Sequence, residues 1–334
     1  VAIWAAGGAG LALAIVLLLR TGLPQVLHLL DTAGWRLLLL APIHLVPLAI
    51  DAAGWRWLLR GVRAPSRAYL TWVAVVREAI AGLLPVARMG GEVVGARLLT
   101  RRGVPMAVAG ASVVVEVTVW IVAHLLFAGV GLVLLLGHTA GTETSVHVGI
   151  GLLSGVVVIA LFVIVQQRWG LFEPLERILS AIAGRDVLRI IGDPGRLDHG
   201  IRALYRQGGA LGACMAWQLA SLFAGALELW ITFRFLGHPA SVSDAIVVES
   251  LTTAVQSAMF FVPAGLGTQE GSFVLFGTAV GLPPDLALAL SLARRVRQLL
   301  LGVPALIVWY WTERRYVSLS ALPSSRPGSR ERDR

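Results

Sequence analysis

The stretch VPAGLGTQEG, Val262 to Gly271, interrupts an apolar run that would otherwise read as one membrane-spanning helix. It carries a proline, three glycines and Glu270, none of which a lipid-exposed helix accommodates cheaply. In hydrocarbon each unsatisfied backbone group costs several kcal/mol, so broken backbone at membrane depth must be buried in protein or line a cavity. The stretch therefore predicts a broken helical hairpin inside a larger bundle.

Composition agrees with a membrane setting. The chain is 57% hydrophobic and only 14% charged, with a mean hydropathy of +0.78. Several apolar runs are long enough to cross about 30 Å of hydrocarbon. The net charge of +9 comes wholly from arginine, since the sequence contains no lysine. These arginines sit in short loops between spans, which argues for membrane orientation and against a nucleic-acid partner. The lone Cys214 excludes an internal disulfide and a thiolate metal cluster. No metal-binding or nucleotide-binding motif occurs in a fitting context, so no cofactor is expected.

The fold class expected is an all-α polytopic integral membrane protein. About six spanning helices are predicted, over Ile3–Leu19, Trp35–Leu59, Pro105–Leu136, Val146–Gln166, Gly208–Leu236 and Leu286–Trp311. The first lacks a basic front and a small-residue cleavage site, and is expected to be retained as a span rather than removed as a signal peptide. Ser66–Thr100 and Ser243–Val280 are predicted to be Pro/Gly-broken helical hairpins, re-entrant or doubly crossing. One transmembrane domain is expected over 1–317. It comprises repeat one (about 35–137), an amphipathic cytoplasmic segment (about 167–207) lying on the membrane, and repeat two (about 208–311). The Ser/Pro/Arg-rich tail 318–334 is expected to be disordered. Most tryptophans, including Trp35, Trp55 and Trp311, lie near span ends, as an interfacial belt requires.

Loops bearing Arg56, Arg60, Arg63 and Arg67, the pair Arg101 and Arg102, and the tail from Arg314 belong on the cytoplasmic side. The arginine-free loops 137–147 and 237–243 belong outside. Both termini are then cytoplasmic. An offset of 178 positions, the separation of Pro85 and Pro263, also superimposes Glu92 on Glu270, Gly103 on Gly281, Pro105 on Pro283 and Arg56 on Arg234. With the arginine assignment, the two copies have opposite topology. Inverted repeats with broken helices are a transporter architecture whose sites lie at the repeat interface near the midplane.

Candidate site residues follow from the breaks. In LLPVARMGGEVVGARLL, Leu83 to Leu99, Pro85 ends the entering helix, and Arg88 and Glu92 share a helix face. In the second hairpin Pro263, Gly265 and Gly267 precede a half-helix that starts after Gly267 and carries Gln269 and Glu270. Its N-terminal N–H groups would suit an anionic headgroup. Glu116, Arg294 and Arg297 are intramembrane charges, which default to a functional role. Glu116 falls on Arg294 at the repeat offset, so the halves are expected to present opposite charges to one site. Glu228 and Glu249 read instead as structural ion-pair partners, and Arg295 as facing elsewhere.

LLPVARMGGEVVGARLLTRRGVP resembles the first signature of the lysylphosphatidylglycerol synthase transmembrane (flippase-like) superfamily. FVPAGLGTQEG, with the arginines of SLARRVRQLL after it, resembles the second. Within the superfamily the chain is most similar to hopanoid-associated membrane proteins of the HpnL type. The resemblance implies site residues Pro85, Arg88, Glu92, Arg97, Pro263, Gly265, Gly267, Glu270, Arg294 and Arg297. In 1–334 no soluble aminoacyl-transferase domain follows, so it implies lipid movement without lipid synthesis. The expected function is an ATP-independent lipid transporter of a bacterial inner membrane, not an enzyme. Its partner would be a hopanoid or an anionic or aminoacylated phospholipid, with homo-oligomerisation left open. The alternatives are a membrane enzyme using Glu92 or Glu270 as base, and a scaffold subunit of a lipid-synthesis pathway.

Overall fold

The computed structural model of the chain describes residues 28, 30–84, 89–138, 194–259, 262 and 265–320. Every element among them is helical. After a 3-10 segment, Gly34–Leu39, come α1 (Leu40–Leu58), α2 (Arg67–Leu83), α3 (Met89–Thr100), α4 (Met106–His138), α5 (Pro194–Tyr205), α6 (Gly208–Phe235), α7 (Val242–Ala258), α8 (Thr268–Ala279) and α9 (Pro284–Ser320). The predicted spans Ile3–Leu19 and Val146–Gln166 lie outside the described residues, as do 321–334 of the tail.

Three helices, Leu30–Leu58, Met106–Gly137 and Gly208–Phe235, are long and apolar enough to cross a membrane. The 37-residue α9 is longer still, but carries Arg294, Arg295 and Arg297. Large apolar side chains point outward along these helices, among them Val133 on α4, Leu227 on α6 and Ile307 on α9. Such faces suit lipid, and the chain is a membrane-embedded all-α protein.

The 178-residue offset maps element onto element: α1 on α6, α2 on α7, α3 on α8 and α4 on α9. The match extends to single hydrogen bonds. After α3, Gly103 N–H donates to Thr100 O at 3.0 Å and Val104 N–H to Leu99 O at 3.3 Å. After α8, Gly281 N–H donates to Thr278 O at 3.0 Å and Leu282 N–H to Gly277 O at 2.9 Å. Both turns are closed by a glycine at positive φ, +84° and +82°, where a side chain would be strained. Both hairpins also open on a serine cap. Ser66 accepts from Tyr69 N–H, and Ser241 forms a reciprocal capping box with Asp244.

Each hairpin is a packed helix pair, α2 with α3 and α7 with α8. The returning arms α3 and α8 have 12 residues each. At 1.5 Å per residue that is about 18 Å, well short of a crossing. The lengths therefore favour re-entrant hairpins over double crossings.

The repeats interlock. α1 packs along α6 across the pseudo-symmetry axis, while α4 lies on α7 and α9 lies on α2. Each long closing helix thus covers the hairpin of the other repeat. Gly54 permits the α1–α6 approach, since a Cβ there would sit 2.9 Å from Trp217 Cβ. One apolar core gathers Trp55, Leu70, Ile80 and Leu99 in the first repeat. A second gathers Phe233, Phe273, Leu286 and Leu290 in the other.

Two local expectations are corrected. Trp55 is fully buried rather than interfacial, with the Arg77 guanidinium 4.7 Å from its ring centre. Trp35, in the 3-10 segment, does lie exposed, as does Trp311, although α9 continues past it to Ser320. Of the amphipathic segment, only α5 is described, and its apolar face (Leu197, Ile201, Leu204) is buried, with α5 packed against α4. There the apolar stripe meets protein, not the membrane surface.

Candidate functional site

The polar interior is built outward from two adjacent residues of α2, Arg77 and Glu78. At 3.6 residues per turn, successive side chains point about 100° apart, so each serves a different neighbour. Arg77 turns into the first repeat. It forms ion pairs with Glu92 of α3 and, at 2.6 Å, with Glu116 of α4. Gln218 of α6 donates to the second Glu116 oxygen at 3.4 Å. α3 can come this close because Gly91 and Gly95 face α2. A Cβ at Gly91 would lie 2.6 Å from Arg77 O, and one at Gly95 2.8 Å from Arg77 Cδ. Glycine at both positions is what lets Glu92 reach the guanidinium.

In the second repeat an ion pair also joins the first arm to the closing helix, with the charges reversed. Here the acid is on the hairpin's first arm, Glu249 of α7, and the base on the closing helix, Arg294 of α9. Arg294 also lies 4.9 Å from the Phe273 ring centre. Glu116 and Arg294 are therefore opposite charges at equivalent places, as the offset predicts. Each is paired within its own repeat rather than presented to one shared site.

Glu270 is held by its own half-helix. Gly267, at φ +74°, is the N-cap of α8, and its N–H donates to Glu270 Oε2 at 2.8 Å. Arg295 Nε donates to Glu270 Oε1 at 3.1 Å, and Arg295 Nη2 to Gly265 O at 3.2 Å. Arg295 is thus the cation of the broken segment, although from sequence it was expected to face elsewhere. The neighbouring Gln269 donates to both O and Oγ of Ser291 at 3.1 Å.

The two repeats meet in a third cluster that the sequence reading missed. His44 of α1 sits between two carboxylates, with Nδ1 2.6 Å from Glu228 Oε2 and Nε2 2.9 Å from Glu78 Oε2. Arg297 of α9 pairs with Glu228 and lies 3.6 Å from Glu78. Four charged or ionisable side chains from α1, α2, α6 and α9 thereby close a ring across the axis. The ring borders a narrow cleft lined by His44, Glu78, Arg297, Gln298, Leu83 and Gly302. Its room is about that of a single water. Glu78 is the group that reaches the opening, with 36% of its side chain exposed against 6% for Glu228. The second hairpin borders this region through Gln298 Nε2, 3.5 Å from Gln269 Oε1.

Of the predicted site residues, Pro85, Arg88 and Pro263 lie outside the described residues. Glu92 and Glu116 come together on Arg77; Gly265, Gly267 and Glu270 come together on Arg295. Arg297 alone among them lies in the inter-repeat ring. Arg97, at the opposite end of α3 from Glu92, pairs with Glu313 of α9 at 2.6 Å, as does Arg101. Among the described residues, Glu92 and Glu270 are held in separate ion-pair nests, on Arg77 and on Arg295, while the hairpin tips where a shared chamber was expected lie outside the described residues. The ring's members were legible in part: Arg-Glu at 77–78 interrupts the apolar run of α2, and His44 and Glu228 interrupt α1 and α6. Nothing in the sequence placed the four side by side.

Residues 4–305 match the family model described as the lysylphosphatidylglycerol synthase TM region. No curated protein and no solved structure matches the chain.

Proposed function

Since the chain belongs to the lysylphosphatidylglycerol synthase transmembrane-region family, we propose that it moves a polar-headed lipid across a bacterial inner membrane without using ATP. The observation that carries this reading is the ring of His44, Glu78, Glu228 and Arg297. It stands where two structurally repeated halves meet, beside a cleft. Intramembrane charge is costly and is concentrated on substrate or ion pathways, and transporters built from repeats place their sites at the repeat interface. The narrow cleft fits a closed state, from which separation of the halves would admit a headgroup while the acyl or ring portion stays in lipid. A hopanoid or an anionic or aminoacylated phospholipid is the cargo class that the sequence resemblance favours. The arginine distribution favours cytoplasmic termini. A transporter is preferred to an enzyme because Glu92 and Glu270, the candidate bases, are each tied to an arginine.

The test is reconstitution into liposomes containing headgroup-labelled phospholipid or hopanoid, with an impermeant quencher outside. Wild-type protein is expected to expose inner-leaflet label faster than protein-free vesicles do, and Arg297→Gln to slow this. If neither lipid class crosses faster than in empty vesicles, the transport reading fails.

A further inference from the structure

The inter-repeat ring contains one more acceptor than ordinary protonation can satisfy. Both ring nitrogens of His44 lie against carboxylate oxygens, at 2.6 Å and 2.9 Å. An ionised carboxylate only accepts, and a neutral imidazole has a single N–H. With both acids ionised and His44 neutral, one of these contacts would set lone pair against lone pair. One additional proton, on the ring, makes every contact a hydrogen bond.

Among the described residues, the neighbouring charges are engaged elsewhere. Of the elements packed on α1, α2 presents Glu78, α6 presents Glu228 and α9 presents Arg297. Arg294, which borders the same part of Glu228, is paired with Glu249. From α4, Glu116 is turned to Arg77 and Gln218, and Arg36 of the 3-10 segment is exposed. Asp51, on α1 itself, lies two turns beyond His44.

We propose that His44, Glu78, Glu228 and Arg297 form a proton-binding site, and that the proton held there is the ion coupled to lipid movement. The site joins two helices of one repeat to two of the other, so the proton stabilises the closed arrangement of the halves. Its release sets a His44 lone pair against a carboxylate across the seam and favours separation. Glu78, the partly exposed member beside the cleft, is the exchange route. The coupling rests on the transport reading; the proton site itself does not.

Two measurements test it. In nanodiscs, histidine nitrogen NMR, with the His44 signal assigned by its loss in His44→Gln, is expected to show both ring nitrogens protonated at neutral pH. Glu78→Gln removes one negative charge and is expected to return the ring to a neutral tautomer at the same pH. A neutral His44 in the wild type overturns the site. In liposomes with the membrane potential clamped, the steady-state leaflet ratio of labelled lipid is expected to shift about tenfold per imposed pH unit for one proton per lipid. A ratio indifferent to the gradient, with lipid still crossing, overturns the coupling and leaves transport standing. If no lipid crosses under any gradient, it is the transport reading that fails, and the NMR result alone decides the proton site.

Discussion

At the scale of single residues, the interior charges differ in how replaceable their partners are. Arg77 is the sole described cation between Glu92 and the 2%-exposed Glu116. Removing one member of a buried pair leaves an uncompensated charge and costs about 3–5 kcal/mol. Arg77→Met is therefore expected to lower thermal stability in detergent by that order, and the double change Arg77→Met, Glu116→Leu to recover a large part of it. Glu116→Gln should cost less than Arg77→Met, because Arg77 keeps Glu92; the reverse order in melting curves would show that Arg77 does not hold this nest together. Glu270 makes a different case. Its amide analogue retains an oxygen for the Gly267 N–H but gives Arg295 no charge, so Glu270→Gln is expected to fold and insert yet lose lipid movement. Wild-type transfer by a well-expressed Glu270→Gln protein would leave Glu270 as a helix cap and nothing more.

At the scale of elements, helix contacts in this bundle depend on what a missing Cβ would meet. At Gly91 the obstacle is the backbone carbonyl of Arg77, 2.6 Å away, which cannot swing aside. At Gly302 of α9 the obstacle is Leu83 Cδ1, also 2.6 Å away, the far end of a flexible side chain. Overpacking costs about 1–3 kcal/mol, so Gly91→Ala is expected near the top of that range and Gly302→Ala near the bottom. Gly91→Ala also pushes α3 from α2 and draws Glu92 off Arg77, so its loss of lipid transfer should exceed its loss of stability. Parallel thermal melts and transfer assays on the two variants check this; equal penalties would mean that α3 is not pinned by the Gly91 contact.

At the scale of the whole molecule, side-chain contacts group the helix ends into poles against which the arginine-based orientation can be tested. Arg97 and Arg101 both reach Glu313, which brings the basic turn after α3 and the basic end of α9 to one pole. Thr32, ahead of α1, lies against Gly237, where the arginine-free loop 237–243 begins. In a Cys214→Ala background, a thiol from Arg63→Cys should be shielded from impermeant maleimide on intact cells, and one from Pro239→Cys labelled. Labelling of both from the same side would defeat the inverted topology.

The sequence alone determined the class, the ends of α4 and α6 to within about two residues, and the offset that relates the repeats. By contrast, α9 runs on to Ser320, past the predicted Trp311 and into the tail expected to be disordered. Hydropathy, Pro/Gly breaks and arginine-rich loops are local signals, and each is written within a turn or two of the structure it causes. The offset of 178 was legible because turn chemistry is local as well: Thr100 and Thr278, Gly103 and Gly281 close the same hydrogen-bonded turn. Partner choice among the buried charges was decided only by the tertiary structure. Glu92 and Glu116 meet at Arg77, Glu270 meets Arg295 rather than a companion in the other repeat, and His44 bridges residues 34 and 184 positions away. Which charges meet depends on helix rotation and on the interlocking of α4 and α9 with the opposite hairpins. Those are set by packing across the axis, a long-range property that no local pattern encodes.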